Sequence, residues 1–189
     1  LKSLEYRGYD SWGVAVVPTA SQKSKVKSQK WENKIIVKKR IGKIGEANVS
    51  DMPKSSFAFG HTRWATHGGV TQVNAHPHLD CTGTIALIHN GIFENYEDVK
   101  QSLVKKGHRF ISETDTEVLV HLIEEHRRSM LFTKAVQKAF NEMKGLNAII
   151  AMDIADGHLV AARNGSPLVV GFGEGENFLA SDAAAHLPQ

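Results

Sequence analysis

Residues able to bind a small charged molecule concentrate between His61 and Asp115, at points where apolar segments end. Arg63 ends the apolar segment that begins at Phe57, and its guanidinium is a planar pair of donors that matches a carboxylate. Asp115 opens a helical pattern and offers a carboxylate that can hold an ammonium group. Together the two side chains suit the zwitterionic end of an amino acid, so the sequence indicates an amino-acid-binding site.

A second kind of chemistry is indicated by Asn90 and Gly91, which follow the apolar strand pattern IALIH. A side-chain amide and a backbone N–H are the two donors needed around an oxyanion that develops during acyl transfer. The dipeptide Asn-Gly is also the strongest short signal for a hairpin turn. An oxyanion site and a plain turn are therefore both consistent with this dipeptide.

Other residues of the same stretch also have purely structural interpretations. Asp115 can be a helix-terminal charge favoured by the helix dipole, and Arg63 can be half of a surface ion pair. Trp64 can be a core residue, while Gly68 and Gly69 can serve a turn. Residue types alone leave these alternatives open.

Histidines are numerous, ten in all, and five of them lie in one region: His61, His67, His76, His78 and His89. In an extended backbone, His76 and His78 would place two imidazoles on one side, which suits a metal chelate and a metal-dependent hydrolase. No acid lies at ligand spacing beside them, and the Pro77 between them favours a loop or an edge strand. Because histidine more often serves in hydrogen bonding or substrate contact, we expect no metal and no cofactor.

Strand patterns outnumber helix patterns along the chain. The strand patterns are 13–17, 34–41, 57–63, 84–89, 148–153, 158–162, 168–172 and 178–180. Helix patterns begin near Asn95, Thr114 and Thr133, the second with a capping box from Thr114 to Glu117. Short connections between the late strands, at 155–157 and 164–166, favour antiparallel pairing of the strands they join. The sequence therefore predicts one α+β layered domain over residues 1–189.

The composition is that of a globular domain, with 189 residues, 41% hydrophobic and 23% charged, which excludes a disordered chain. No apolar run approaches the roughly 18 residues that span a bilayer, and the first residues lack the apolar core of a signal peptide. We therefore expect no membrane association. The single cysteine, Cys81, cannot form an internal disulfide, which favours a reducing, cytoplasmic setting. The chain starts without Met and inside a helical pattern, so we expect a fragment truncated at both ends.

The positive net charge, +3, comes from one segment between Lys23 and Lys43, which holds nine lysine and arginine residues against one acid, Glu32. Apolar residues such as Ile35 and Ile41 stand among these cations, which predicts an exposed hairpin with one solvated face. A lysine-rich edge also discourages association between sheets. Trp31 alone is interleaved for base stacking, so we expect no nucleic-acid partner.

Seven segments resemble the motifs of one enzyme family, and they follow the family's order from residue 4 to residue 182. They are LEYRGYDS (4–11), HTRWATHGG (61–69), VNAHPH (73–78), HNGIFEN (89–95), SETDTEV (112–118), GSPLVVG (165–171) and ENFLASD (176–182). Together they resemble the glutaminase domain of the glutamine–fructose-6-phosphate aminotransferases, which are class II glutamine amidotransferases. The Arg-Trp-Ala-Thr-His and His-Pro-His versions are less similar to amidophosphoribosyltransferases, a related family that remains the alternative.

The resemblance implies the N-terminal-nucleophile hydrolase fold, a four-layer α+β sandwich with two antiparallel sheets between helices. It also implies that the domain hydrolyses the side-chain amide of glutamine. In that reaction Asn90 and the Gly91 N–H match the groups that bind the oxyanion of the tetrahedral intermediate. The family's nucleophile is the cysteine at the first position of the processed chain, and the α-amino group of that residue is its base.

The remaining site residues are also implied by the resemblance. Arg63, with Thr66 and His67 nearby, matches the position that binds the substrate α-carboxylate. Asp115 matches the residue that binds the substrate α-ammonium. Trp64 belongs to the loop that closes over glutamine. Two further residues match supporting positions, Arg7 beside the nucleophile and His76 in the His-Pro-His motif.

The opening segment that carries the family's cysteine has no counterpart among these residues. Cys81 is no substitute, because it follows a loop-like stretch and has no N-terminal amine. The resemblance further implies a separate isomerase domain, not in this chain, that converts fructose 6-phosphate to glucosamine 6-phosphate, and a homodimeric full-length enzyme. A non-catalytic glutamine-binding module that truly lacks the nucleophile remains a further alternative.

Overall fold

The apolar patterns fold into nine strands and three α-helices within residues 1–18, 34–45 and 47–186, the part that this computed structural model describes. The strands are β1 (Ser11–Val16), β2 (Ile36–Ile41), β3 (Ala58–Arg63), β4 (His78–Leu79), β5 (Ile85–Gly91), β6 (Asn147–Asp153), β7 (Leu159–Arg163), β8 (Val169–Phe172) and β9 (Asn177–Ala180). The helices are α1 (Tyr96–Lys105), α2 (Asp115–Arg127) and α3 (Phe132–Glu142). Short 3-10 helices span Lys2–Arg7 and Ala183–His186.

The strands form three sheets, with the orders β2-β1-β3, β4-β5-β6-β7 and β8-β9. Every pair of neighbouring strands is antiparallel. The pair β6–β7 is antiparallel across a short connection, as the sequence predicts. The connection at 164–166 joins β7 to β8, and pairing across it was a wrong prediction, because the two strands belong to different sheets. Each predicted strand is present, and most bounds differ by one or two residues because ends of elements depend on local hydrogen bonds.

Strands β5 and β6 are buried along almost their whole length, because both faces of their sheet are covered. Leu87 and Ile149 point into a core that they share with the helices. Ile88 and Ile150 belong to a second core, together with Phe59 of β3. Since successive side chains point to opposite faces of a sheet, the four-stranded sheet separates the helices from the β2-β1-β3 sheet. This stacking agrees with the predicted α+β sandwich.

Helix α2 begins at Asp115 because the residues before it supply its cap. The Thr114 hydroxyl accepts a hydrogen bond from the Glu117 backbone N–H at 3.3 Å, which is half of the predicted capping box. The Glu117 carboxylate accepts hydrogen bonds from the backbone N–H groups of Ile111 and Ser112, at 2.8 and 2.7 Å. Every residue from Asp115 to Ile123 is buried, so the start of this helix is a well-packed support.

The lysine-rich segment and the His-Pro-His segment both form edge strands, β2 and β4. The lysine-rich strand β2 is at the edge of its sheet, while the earlier part of the predicted hairpin, with Lys23 and Trp31, lies outside the described residues. Strand β4 is a two-residue edge strand that starts directly after Pro77, which confirms the expected loop or edge position. None of the described helices has the length and apolar character needed to cross a bilayer.

Candidate active site

A small pocket of about 120 Å³ forms where β3, β5 and the start of α2 meet. Antiparallel pairing and the stacking of the two sheets bring the end of β3 beside the end of β5. All nine site residues that the sequence singled out line this pocket: Arg7, Arg63, Trp64, Thr66, His67, His76, Asn90, Gly91 and Asp115. The structure therefore places side chains separated by more than a hundred residues around one small volume.

Arg63 is buried at the end of β3 and holds the loop that follows it. Its guanidinium donates hydrogen bonds to the backbone carbonyls of His67, Gly68 and Gly69. Asp10 fastens the same loop, because its carboxylate accepts a hydrogen bond from the Ala65 N–H at 2.9 Å. The guanidinium thus lines the pocket while its N–H groups donate to carbonyls of the loop. A carboxylate bound in the pocket would accept some of these hydrogen bonds in place of the carbonyls.

Asn74 and Glu113 are supporting residues to which sequence reasoning gave no role. The Asn74 amide donates to the Gly69 carbonyl and to the Glu113 carboxylate, both at 3.0 Å, and its oxygen accepts from the Glu113 N–H. Glu113 also accepts from the Gly69 N–H at 3.2 Å. Both residues lie inside two of the family motifs, VNAHPH and SETDTEV, and this position was the only sequence feature that could have indicated a role at the site. Their network joins the loop after Arg63 to the segment before α2.

Asp115 is the first residue of α2 and is buried at the pocket wall. One carboxylate oxygen, Oδ2, accepts a hydrogen bond from the Phe93 N–H at 2.8 Å. The other oxygen, Oδ1, has a long contact of 3.5 Å with the Thr116 hydroxyl. A carboxylate oxygen has capacity for further donors, so Asp115 can hold an ammonium group while Phe93 fixes its orientation.

Asn90, near the end of β5, is oriented by His61 on β3 of the facing sheet. His61 Nε2 lies 2.9 Å from Asn90 Oδ1, so the imidazole donates and the Asn90 oxygen accepts. Burial lowers the pKa of His61 to about 4, and the ring is therefore neutral at neutral pH. The Asn90 amide N–H₂ remains available as a donor on this pocket wall. His61 was grouped with the other histidines in the sequence, but its spacing gave no sign of this contact.

The remaining buried histidines of the predicted cluster bind hydroxyl and amide groups. His76 and His89 contact the Thr116 hydroxyl at 3.3 and 3.1 Å, and His78 contacts the Thr114 hydroxyl at 3.1 Å. His89 also lies 2.8 Å from the side-chain oxygen of Asn147. These contacts support the start of α2, where Asp115 lies. Within the described residues, none of these histidines belongs to a group of three or more ligands that could hold a metal.

The pKa values of these histidines predict how stability depends on pH. Burial lowers the pKa of His61 to about 4, and it also lowers those of His76, His78 and His89. Their unfolded pKa is about 6.5, so between pH 6.5 and 4 the unfolded chain binds protons that the folded chain does not. We expect the free energy of unfolding to fall over that window, with at most about 3 kcal/mol from His61.

Urea denaturation at pH 6.5 and at pH 4 measures this loss. The variant His61→Gln should lose less stability between the two pH values than the wild type. The exposed His158 provides the matched control, since His158→Gln should leave the wild-type difference unchanged. An unchanged difference in His61→Gln would contradict the lowered pKa of His61 in the folded protein.

Aromatic side chains form the rim of the pocket. Trp64 is 58% exposed and its ring lies 5.5 Å from that of Tyr9, so it is a surface residue and not part of the core. The His67 ring packs edge-on against Tyr96 at 5.5 Å. Arg7 also lines the pocket, and it donates to the Ser181 backbone carbonyl at 2.7 Å. The rim therefore includes the loop after β3.

A larger cavity of about 490 Å³ shares Arg7, His61, Asn90 and Gly91 with the pocket. Its lining includes five consecutive residues from each of two segments, 58–62 in β3 and 177–181 at β9. Within the described residues, β3 and β9 are both edge strands of their sheets. The cavity therefore extends from these two strands to Asn90 and Gly91.

The arrangement as a whole places the Arg63 guanidinium, the Asp115 carboxylate and the oriented Asn90 amide around one small pocket. These are the groups needed to hold an amino acid by its charged end and to stabilise negative charge on a carbonyl oxygen. Glycine is required at position 91, where φ is +124° and an added Cβ would lie 2.3 Å from the Leu146 carbonyl oxygen. The Asn90-Gly91 pair thus ends a strand in the site and is not a two-residue hairpin turn.

Comparison with known sequences gives a consistent family. Residues 61–188 match a family model described as a glutamine amidotransferase domain. The whole chain is 50% identical to a glutamine–fructose-6-phosphate aminotransferase (isomerizing) of Thermus thermophilus, of which it covers 29%. It is 47% identical over its whole length to the Aquifex aeolicus enzyme of the same name, of which it covers 30%. The chain thus spans less than a third of the length of these relatives.

Comparison with solved structures gives the same type of fold. The chain matches the glutamine phosphoribosylpyrophosphate amidotransferase of B. subtilis, complexed with ADP and GMP, with a TM-score of 0.75 and 26% identity. The match covers 97% of this chain and 38% of that protein. The agreement therefore extends over nearly all of the chain. The fold is the antiparallel-sheet sandwich that the class II amidotransferases share.

Proposed function

Because the chain belongs to the glutamine amidotransferase family, we propose that its pocket binds glutamine and that the side-chain amide is hydrolysed there to release ammonia. One observation carries this proposal. Arg63, Asp115 and Asn90 converge on one pocket of about 120 Å³, with opposite charges on two of them and an amide donor on the third. The chain acts as a single glutaminase domain of a longer enzyme.

The charged end of glutamine is held by Arg63 and Asp115. The guanidinium takes the α-carboxylate, exchanging some of its contacts with the carbonyls of His67, Gly68 and Gly69. Asp115 takes the α-ammonium, while the Phe93 N–H keeps the carboxylate in place. This exchange couples substrate binding to the loop after β3, which carries Thr66 and His67 as well as the exposed ring of Trp64 at the rim.

The oxyanion of the tetrahedral intermediate is stabilised by Asn90 and by the Gly91 N–H. The neutral His61 donates a hydrogen bond to the Asn90 side-chain oxygen, so the amide nitrogen is the atom that faces the substrate. A donor fixed in this way needs no reorganisation when charge develops on the substrate oxygen. His61 is thus a positioning residue, because it acts through Asn90 and not on the substrate.

The nucleophile is a cysteine thiol from a segment outside residues 1–189. Cys81 lines neither the pocket nor the larger cavity, and it is the only cysteine in the sequence. An extended segment placed between β3 and β9 would bring its first residue beside Asn90 and Gly91. The α-amino group takes the proton of the thiol, and the resulting thiolate attacks the amide carbon. The same proton then passes to the leaving nitrogen, which departs as ammonia, and water hydrolyses the thioester to release glutamate.

The ammonia is used by a second domain to convert fructose 6-phosphate to glucosamine 6-phosphate. The identity of 50% with an aminotransferase of that name, against 26% with the phosphoribosylpyrophosphate amidotransferase, favours this acceptor over the alternative. We also propose, on the resemblance alone, a cytoplasmic homodimer. A non-catalytic glutamine-binding module is the competing function, and the presence of the upstream cysteine separates the two.

Loss of the charge on Asp115 tests the substrate contacts. In the full-length enzyme, Asp115→Asn keeps an acceptor for the Phe93 N–H but removes the negative charge. We expect the KM for glutamine to rise at least about tenfold, the effect of losing one charged hydrogen bond, with little change when free ammonia replaces glutamine. The exposed Asp98 on α1 gives the matched control, Asp98→Asn.

Arg63→Ala tests the proposed contact with the α-carboxylate of glutamine. The wild type should prefer glutamine over its α-methyl ester, and Arg63→Ala should lose that preference because the carboxylate contact is gone. Arg40→Ala, at an exposed position of the edge strand β2, is the control. Wild-type KM values in both Asp115→Asn and Arg63→Ala would show that these residues do not bind the amino-acid end of glutamine.

A further inference from the structure

Four potential metal ligands meet on the side of α2 that carries His121 and Glu124. They are Cys81 in the loop between β4 and β5, His108 after α1, and the α2 residues His121 and Glu124. One ligand atom of each residue lies within 4.8 Å of the corresponding atoms of the other three. None of the four lines the pocket at Asn90 or the cavity beside it.

The two distances from the Cys81 sulfur match those of a tetrahedral metal site, and the two from Glu124 are hydrogen-bond distances slightly shorter than such a site needs. Cys81 Sγ lies 3.7 Å from His108 Nδ1 and 3.5 Å from His121 Nδ1. Glu124 Oε2 lies 3.0 Å from His108 Nδ1 and 2.9 Å from His121 Nδ1. Zinc bonds of roughly 2.3 Å to sulfur and 2.0–2.1 Å to nitrogen or oxygen place tetrahedral ligands about 3.6 and 3.3 Å apart. Only a small adjustment of the side chains is needed to place the ion.

A second carboxylate faces the far side of each imidazole. His108 Nε2 lies 3.2 Å from Glu125 Oε2, and His121 Nε2 lies 3.7 Å from Glu117 Oε1. In metal sites the ligating histidine commonly donates its other N–H to a carboxylate, which fixes the ring and strengthens the ligand. Both histidines are buried, and His108 has that partner at hydrogen-bond distance. His121 Nε2 faces the Glu117 carboxylate without a hydrogen bond, so the same contact would need a small shift of the side chains.

We propose that Cys81, His108, His121 and Glu124 form a structural zinc site. A thiolate with two imidazoles and one carboxylate suits zinc, whereas Ca²⁺ and Mg²⁺ prefer ligand sets made of oxygen. All four coordination positions are filled by protein, which is typical of structural and not catalytic sites. Cys81 is exposed, so an ion can enter from solvent.

The ion would tie the loop after β4 and the connection after α1 to the middle of α2. Helix α2 begins at Asp115, so the same ion would stabilise the helix that carries one substrate contact. Sequence analysis predicted no metal because it considered the histidines between His61 and His89. The two histidine ligands lie 27 and 40 residues from Cys81 along the chain, and such spacing matches no short motif.

The test is zinc binding by the full-length protein. After incubation with zinc chloride and removal of unbound ion by gel filtration, mass spectrometry should find about one zinc per chain in the wild type. The variants Cys81→Ser and Glu124→Gln should bind zinc at least about tenfold more weakly, since each loses one ligand. His158→Gln, at an exposed histidine beside Asp156, is the matched control and should bind like the wild type.

Cobalt substitution identifies the ligand itself, independently of affinity. A cobalt-loaded wild type should show a thiolate-to-cobalt absorption band, and Cys81→Ser should lack it while it retains a folded circular dichroism spectrum. A chelator should lower the Tm of the zinc-loaded wild type but not that of Cys81→Ser. Wild-type protein without retained zinc would overturn the proposal, and so would equal zinc affinity in the wild type and Cys81→Ser. The result does not depend on glutamine hydrolysis.

Discussion

The polypeptide from Leu1 to Gln189 is expected to release no ammonia from glutamine, and an upstream segment that exposes a cysteine as its first residue should restore activity. The reason is that thioester chemistry needs a thiol within about 3–3.5 Å of the amide carbon, beside the oxyanion donors. Cys81 does not line the pocket and contacts His108, His121 and Glu124 instead. Ammonia release from glutamine, measured for both polypeptides, gives the comparison.

One additional residue in front of the cysteine provides the control for this experiment. Such a residue converts the α-amine into an amide, which cannot act as the base, so the activity should stay absent although the thiol is present. Circular dichroism should show that all three polypeptides are folded. Glutamine hydrolysis by the polypeptide from Leu1 to Gln189 alone would refute an upstream nucleophile.

Asn90→Ala is expected to lower kcat for glutamine hydrolysis by about 10²–10³ and to leave the KM for glutamine nearly unchanged. That is the usual effect of removing one preorganised oxyanion donor, which acts in the transition state and not in ground-state binding. Asn90 lies at the end of β5 with its oxygen held by His61, so the substitution removes a donor from a fixed position. Steady-state kinetics of the full-length enzyme provide the measurement.

Substitutions at His61 separate positioning from direct contact. His61→Leu removes the group that orients Asn90 and should lower kcat by less than Asn90→Ala does, because the amide itself remains. His61→Gln retains a donor for Asn90 Oδ1 and should keep more activity than His61→Leu. A large increase of the KM with unchanged kcat in Asn90→Ala would instead assign Asn90 to ground-state binding of glutamine.

The order and type of the elements were predictable from the sequence because the apolar patterns are strong and local. β5 and β6 appear as short apolar runs, and the start of α2 is indicated by Thr114 and Glu117. The division of the nine described strands into three sheets could not be predicted in the same way. Whether β3 pairs with β1 or β9 depends on long-range packing, and so does the cavity that separates β3 from β9.

The motifs identified the candidate site residues, but only the structure shows which of these residues contact one another. Arg63, Asn90 and Asp115 carried recognisable chemistry, and the structure places them around one pocket. The hydrogen bond from His61 to Asn90 spans 29 residues and has no local pattern. The sequence excludes Cys81 as the nucleophile, but it does not show that three further potential ligands lie around it. Contacts between distant segments are therefore the part that sequence patterns missed.

Mass spectrometry after reaction with an electrophilic glutamine analogue tests most directly whether the pocket at Asn90 hydrolyses glutamine. In the full-length enzyme, one adduct should form on the cysteine at the first position, and excess glutamine should prevent it. Asp115→Asn should reduce the rate of labelling, because the analogue carries the same α-ammonium group. The contrary result is a glutamine-protected adduct on Cys81, or no glutamine-protected adduct at all.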